Sequence, residues 1–288
     1  MHRGLGAAHG VTKASDDSWG GDRTLAMTSE AAVLPGAEAW AHSAPDGDAP
    51  GFLALHGFTG NPSSMRGFAE AAAGGGFHVE LPRLPGHGTT IEEMDTTRWA
   101  DWAGAAEAAY ERLAARAESI VVGGLSMGGA LALTTALRHP EVAALVCVNP
   151  VTRPQPDEVR QMLADFLRDG THVVPGIGSD IADPEATEIA YDGTPVAPLV
   201  SMLDDGLTPI ADRYGQLTMP LLLWTSRQDH VVEPTNSEHL AATYGGDVDH
   251  RWLERSYHVA TQDFDRDLIF VESIEFMQRR TASGGGSP

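Results

Sequence analysis

Short apolar runs alternate along this chain with longer stretches whose apolar residues recur at helical spacing. Gly51-Phe-Leu-Ala-Leu55 reads as a buried strand and residues 62–73 as a helix opened by Pro62. Residues 77–81 form the next strand, and 97–118 predict one long, alanine-rich helix. A strand over 119–122 then leads into a helix over 127–138, and 142–148 reads as a strand again. Later strands fall at 220–224 and 250–253, and a closing helix at 265–278. Strands that are apolar throughout, alternating with helices, predict an α/β fold: a mainly parallel central sheet with helices on both faces.

Two regions break the rhythm. Residues 151–217 open with Pro154 and Pro156 and then mix short helical pieces with turns. They read as an insertion between core segments 27–150 and 218–280. In an open α/β sheet such an insertion lies over the strand ends, where ligands bind, and forms a cap. Residues 1–26 are rich in Gly, Asp and Ser with no apolar period, and are expected to be a disordered extension. They contain no apolar segment of signal-peptide type, which points to a cytoplasmic protein. Residues 281–288, with three consecutive glycines, read as a flexible tail.

Charge narrows the partners. The chain has 19 Lys and Arg against 40 Asp and Glu, a net charge of −21. That sign argues against nucleic acid and anionic membrane surfaces and suits a neutral small-molecule substrate. No apolar run approaches the ~20 residues that span a bilayer, so no stable membrane insertion is expected. The one cysteine, Cys147, sits in an apolar run without positive neighbours and reads as a buried hydrophobe, not a reactive thiol.

The chemistry concentrates in Gly124-Leu-Ser-Met-Gly128. This is the nucleophile-elbow pattern, a serine on a tight strand-to-helix turn flanked by glycines because a β-carbon there would clash. The apolar run before it and the helical pattern after it supply the required context. A serine hydroxyl needs a base, and the base needs an acid to orient it. In this fold the chain order is Ser, acid, His. Asp229 follows the strand at 220–224, and Glu233 is its nearest alternative. His258 lies in the loop after the last strand, whereas His239 sits within a helical pattern. The oxyanion hole is expected from the backbone N–H of Met127 and from the loop after the first strand, with Phe58 as donor. His56 and His87 lack metal-ligand spacing, and no phosphate-binding loop is visible, so neither metal nor cofactor is expected.

Taken together, several motifs resemble bacterial monoacylglycerol lipases of the α/β-hydrolase superfamily, which are relatives of small carboxylesterases. They are His56-Gly-Phe-Thr-Gly60, Leu81-Pro-Arg-Leu-Pro-Gly-His-Gly-Thr89, Gly124-Leu-Ser-Met-Gly-Gly129, Asp229-His-Val-Val232 and Ser256-Tyr-His-Val-Ala260. Within the insertion, Gly176-Ile-Gly-Ser-Asp180 and Ala190-Tyr-Asp-Gly-Thr-Pro195 also look like family sequence. The resemblance implies hydrolysis of a monoacylglycerol, with Ser126, Asp229 and His258 as triad and the Phe58 and Met127 amides as oxyanion hole. It also implies Glu188 as a contact for the glycerol head. The alternative is a general carboxylesterase acting on short- to medium-chain simple esters. Ile177, Ile181, Val196, Leu199 and Leu203 are available for an acyl-tunnel wall. A dehalogenase or epoxide hydrolase would carry Asp where Ser126 stands, and a ligand-binding receptor would not need the triad.

Overall fold

The computed structural model describes residues 31–176 and 178–282. The expected disordered extension at 1–26 and most of the expected tail lie outside the described residues, as does Ile177.

Seven strands form one sheet: β1 (Trp40–His42), β2 (Gly51–Leu55), β3 (His78–Leu81), β4 (Ile120–Leu125), β5 (Ala144–Val148), β8 (Leu221–Ser226) and β9 (Val248–Leu253). Between β5 and β8 the chain leaves the sheet and forms a two-stranded hairpin, β6 (Val173–Pro175) with β7 (Gly193–Pro195). The sheet order is β1-β3-β2-β4-β5-β8-β9. Only β1 is antiparallel; every other pairing is parallel. Side chains alternate across the sheet, so each apolar strand feeds two cores. Leu53, Leu55, Leu145, Cys147, Leu221 and Leu223 pack on one face with α3 (Trp99–Ala114) and α4 (Met127–Arg138). Phe52, Ala54, Val146, Val148, Leu222 and Trp224 pack on the other with α1 (Ser63–Gly74) and α8 (Arg266–Thr281). Cys147 is fully buried among these side chains, which pushes its thiol up to about 12.

Three local readings need correction. The helix expected over 97–118 spans only Trp99–Ala114. It starts late because the Asp101 carboxylate accepts the Arg98 N–H at 2.8 Å. It ends early because the chain must turn to enter β4, where the Gly51 N–H already bonds to the Ser119 carbonyl. The edge strand β1 was not anticipated. Two further helices were not counted as elements, α2 (Ile91–Asp95) and α7 (Thr235–Thr243).

The connection between β5 and β8 carries α5 (Asp157–Arg168), the β6–β7 hairpin, α6 (Val196–Ser201), a π-helical turn at Met202–Leu207 and a 3-10 turn at Ala211–Gln216. It is anchored on the core where Gly206 lies flat on Trp99; a β-carbon there would come within 2.6 Å of the indole. Among the described residues no helix is long and apolar enough to cross a membrane.

Candidate active site

The parallel strands deliver their C-terminal ends to one edge of the sheet, and the site is built from the loops leaving them. β4 passes into α4 with one residue between, Ser126, at φ 57° and ψ −119°. Such a non-glycine conformation costs on the order of 1–3 kcal/mol and persists only where its surroundings enforce it. The enforcement is visible. A β-carbon on Gly124 would lie 2.2 Å from the Gly128 backbone, and one on Gly128 would lie 2.1 Å from the Leu55 carbonyl oxygen. The Ser126 N–H bonds to the Val148 carbonyl at 3.0 Å, and its own carbonyl accepts from Gly129 at 2.9 Å. Ser126 is 9% exposed. Met127 is the first residue of α4, so its N–H has no helical acceptor and adds to the positive end of the helix dipole.

Asp229 lies in the turn after β8. Its Oδ1 accepts the N–H groups of Val231 (2.9 Å) and Val232 (2.8 Å). Its Oδ2 is 2.8 Å from Nδ1 of His258, with the Asp229 side chain 1% and the His258 side chain 8% exposed. With Nδ1–H donated to that carboxylate, the lone pair sits on Nε2, the tautomer a general base needs. Glu233 faces elsewhere: its carboxylate accepts the Thr235 hydroxyl at 3.3 Å. His250 lies within β9 and pairs with Thr225, and His239 lies in α7.

The loop after β2 reaches the serine from the other side. A β-carbon on Gly57 would stand 3.4 Å from the Ser126 β-carbon. His56 is buried, and its pKa lies well below the usual 6.5, first because burial penalises the cation and then because His87 adds repulsion. Its neutral ring accepts the Leu84 N–H on Nε2 at 3.1 Å, so Nδ1 carries the proton and donates to the Gly57 carbonyl at 3.0 Å. That bond pins the plane of the Gly57–Phe58 peptide. Because the peptide is trans, its N–H on Phe58 is held facing opposite to the carbonyl. Below the loop, Phe58, His87 and Trp102 meet edge to face.

Ser126, His258, Phe58 and Glu188 all line one cavity of about 420 Å³. This is the size of a small-molecule pocket. Its walls are largely apolar, with Val159, Met162, Leu163 and Phe166 from α5, and Leu199 and Leu203 further along. Two of the expected tunnel residues are not there. Ile181 packs on the core cluster that includes α1 and α8, and Val196 is fully buried in the cluster that includes α3 and α4; neither lines the cavity. α5 adds four apolar residues that the sequence pattern did not single out, while Leu199 and Leu203 line the cavity as expected. Glu188 is half-buried, and burial raises its carboxyl above the ordinary 4.5, an effect partly opposed by nearby His258. Neighbouring Ile189 is tied to the loop after β2 through Asn61, whose amide donates to its carbonyl.

The Hydrolase_4 family model, described as "Serine aminopeptidase, S33", matches residues 51–265. The chain belongs to this hydrolase family. It is 37% identical over 257 residues to a thermostable monoacylglycerol lipase of Bacillus sp. (strain H-257), covering 88% of this chain and 99% of that one. A carboxylesterase of Bacillus subtilis (strain 168) is 27% identical over 232 residues, covering 79% and 92%. Among solved structures, one reported for two metagenome-derived lipolytic enzymes, LipS and LipT, superposes with a TM-score of 0.80. It is 39% identical and covers 86% of this chain and 100% of that one. The Paleococcus ferrophilus monoacylglycerol lipase shares the fold at 16% identity, with a TM-score of 0.67 and coverage of 84% and 99%. The chain is therefore an α/β-hydrolase.

Two residues of this hydrolase's site escaped sequence reasoning. Asn149, at φ 44°, ends β5. Its amide donates to the His258 carbonyl (2.8 Å) and to the Ser226 hydroxyl (3.0 Å), while its oxygen accepts the Ser226 N–H (2.7 Å). It therefore locks the His258 loop to the ends of β5 and β8. Asp180 does comparable work from the β5–β8 connection. No periodicity flags either; an Asn closing an apolar strand was the only local signal for Asn149.

Proposed function

We propose that the protein hydrolyses monoacylglycerols to a fatty acid and glycerol through an acyl-enzyme on Ser126. His258 takes the Ser126 proton as Oγ attacks the ester carbonyl, and Asp229 holds the imidazole and balances its charge. The amides of Phe58 and Met127 hold the developing oxyanion; losing one such donor costs about 10²–10³ in rate. His258 returns the proton to the departing glycerol oxygen. Water then attacks the acyl-enzyme with His258 again as base, releasing the acid and restoring Ser126. No cofactor enters these steps.

The observation that carries the reading is the buried 2.8 Å His258–Asp229 pair opening, with Ser126, onto a largely apolar cavity whose lining also carries the carboxyls of Glu188 and Asp180. The apolar wall suits one acyl chain. Glu188 supplies the hydrogen-bonding partner that glycerol hydroxyls require, since a buried hydroxyl left unpaired costs about 1–3 kcal/mol. Residues 151–217 act as the cap that makes the pocket narrow, admitting one chain and excluding triacylglycerol. The substrate is a small lipid ester met in the cytoplasm, without nucleic acid or membrane insertion; the net charge of −21 and the single unpaired cysteine support that part.

Kinetics on monoacylglycerols of graded chain length, beside triacylglycerols and matching p-nitrophenyl esters, test the proposal. Monoacylglycerols are expected to turn over at least tenfold faster than triacylglycerols. Glu188→Ala is expected to lower kcat/KM about tenfold on monoacylglycerols while sparing p-nitrophenyl esters, the low end of that hydroxyl cost. No preference for glycerol esters, with equal effects of Glu188→Ala on both series, would instead mean a general carboxylesterase.

A further inference from the structure

Asp229 and His258 both lie beyond the reach of the sheet. The β8–β9 ladder ends at the pair Ser226 and Leu253, with one further bond from the Arg227 N–H to the Leu253 carbonyl. Past that point no strand pairing holds the acid turn against the base loop. A side chain from the β5–β8 connection takes over. Asp180 is 9% exposed. Its Oδ2 accepts the backbone N–H of His230, the residue after Asp229, at 3.1 Å. The same oxygen accepts the backbone N–H of His258 at 3.1 Å. Oδ1 lies 2.7 Å from the His230 ring Nδ1, and the Asp180 carbonyl accepts the Val259 N–H at 3.1 Å. Two residues further on, the same segment is bolted down from below. Asp263 accepts the N–H groups of Ala182 (2.7 Å) and Asp183 (3.0 Å) as well as that of Tyr257 (2.8 Å).

We propose that Asp180 is a positioning residue for hydrolysis, a brace from the β5–β8 connection that sets the spacing of the acid turn and the base loop. The inference rests on the Ser126–His258–Asp229 reading and extends it. One oxygen bridging two amides on either side of the acid–base pair fixes their separation more tightly than two independent bonds. A misplacement of about 1 Å can cost about 10²-fold in rate. The brace also explains why a segment that lines the substrate cavity is tied to the reaction centre: its removal disturbs chemistry, not merely specificity.

The test compares Asp180→Ala with Asp180→Asn in the full chain. The asparagine carbonyl can still bridge both amides, and its NH₂ takes the place beside the His230 ring Nδ1. Asp180→Ala is expected to lower kcat roughly 30- to 100-fold on p-nitrophenyl butyrate and on a monoacylglycerol alike, with KM within about threefold. Asp180→Asn is expected to stay within about fivefold of wild type on the same geometric argument. The low-field proton resonance of the His258 Nδ1–H should persist in the Asn variant and broaden or disappear in the Ala variant. If the Ala variant does not fold, Asp180→Ser, too short to bridge both amides, takes its place with the same expectation. Undiminished kcat in the folded Ala or Ser variant overturns the proposal. So does an Asn variant as impaired as Ala, or a loss confined to KM. Labelling of wild type by a serine-directed phosphonate reads the underlying assignment separately: a label away from Ser126 defeats the triad, whereas a Ser126 label with unchanged Asp180 variants defeats only the brace.

Discussion

The two walls of the cavity are held by different kinds of constraint. On the core side, Ser126 and the Gly57 loop stand at the ends of strands paired residue for residue, Gly51–Leu55 against Ile120–Gly124. Gly124 and Gly128 beside the serine sit so close to backbone that a β-carbon on either would collide. On the opposite wall, α5 buries only Leu163, and Met162 is 48% exposed while lining the cavity. Its hairpin has strands of three residues. Backbone-level constraint holds reacting atoms to within a fraction of an ångström. Side-chain packing over a small core leaves room to change what is admitted. The molecule therefore sets a wall fixed at the backbone beside Ser126 against a wall held by a small side-chain core.

That contrast can be attacked from its strong side first. Asp229→Asn keeps the acceptor for Val231 and Val232 but removes the charge that supports protonated His258. On the proposed mechanism kcat falls about 10⁴-fold, as in a comparable triad, with an unchanged fold. Assays on p-nitrophenyl butyrate beside circular dichroism read both; a loss below tenfold would move the acid to Glu233.

His87 probes the stability of the same wall. It is fully buried under the loop after β2, and burial lowers its pKa to about 4. The unfolded chain takes up a proton near pH 6.5 that the folded chain refuses, so His87 contributes stability above pH 6.5 that is lost as pH falls toward 4. The interval corresponds to about 3 kcal/mol. In His87→Asn that share of the acid-side decline is expected to vanish, as measured by urea unfolding from pH 7 to pH 4.

On the loose wall effects shrink and become selective. Met162→Glu puts a charge on the apolar surface and is expected to slow long-chain esters about tenfold, the scale of one or two lost methylene contacts. Short-chain esters are spared and stability changes by less than about 0.5 kcal/mol. A uniform loss over all chain lengths would mean that α5 supports the reacting groups as well.

The smallest effect is expected in the melting of a Glu188→Gln variant. The pKa of Glu188 is raised by burial, so the folded protein is penalised for the ionised form. Stability linked to the protonated form is complete below pH 4.5 and is lost as pH rises through the raised value. Glu188→Gln, always neutral, is therefore expected to melt slightly higher than wild type at pH 8, with the gap closing toward pH 4.5. A variant that melts lower at pH 8 would show that the charged carboxylate is structurally used.

The sequence by itself determined the layered α/β architecture, because period and apolar content are local properties. The helix expected at 127–138 is found at Met127–Arg138, and the strand at Gly51–Leu55 is found there too. It also marked Ser126, since the steric demand of a tight elbow is written in its flanking glycines, and it ordered an acid and a histidine after it. It ranked Asp229 ahead of Glu233 as that acid, and tertiary structure puts the Asp229 carboxylate 2.8 Å from His258. Tertiary structure alone decided that Asn149 and Asp180 brace that histidine from 109 and 78 residues away. The cavity wall was only partly legible: Leu199 and Leu203 line it as expected, α5 adds four further residues, and Ile181 and Val196 pack on the core clusters instead. Hydrogen bonds that join loops so distant in the chain leave no period to read, and the facing of a short apolar element depends on what packs beside it. Those features exist only once the sheet has brought the strand ends together.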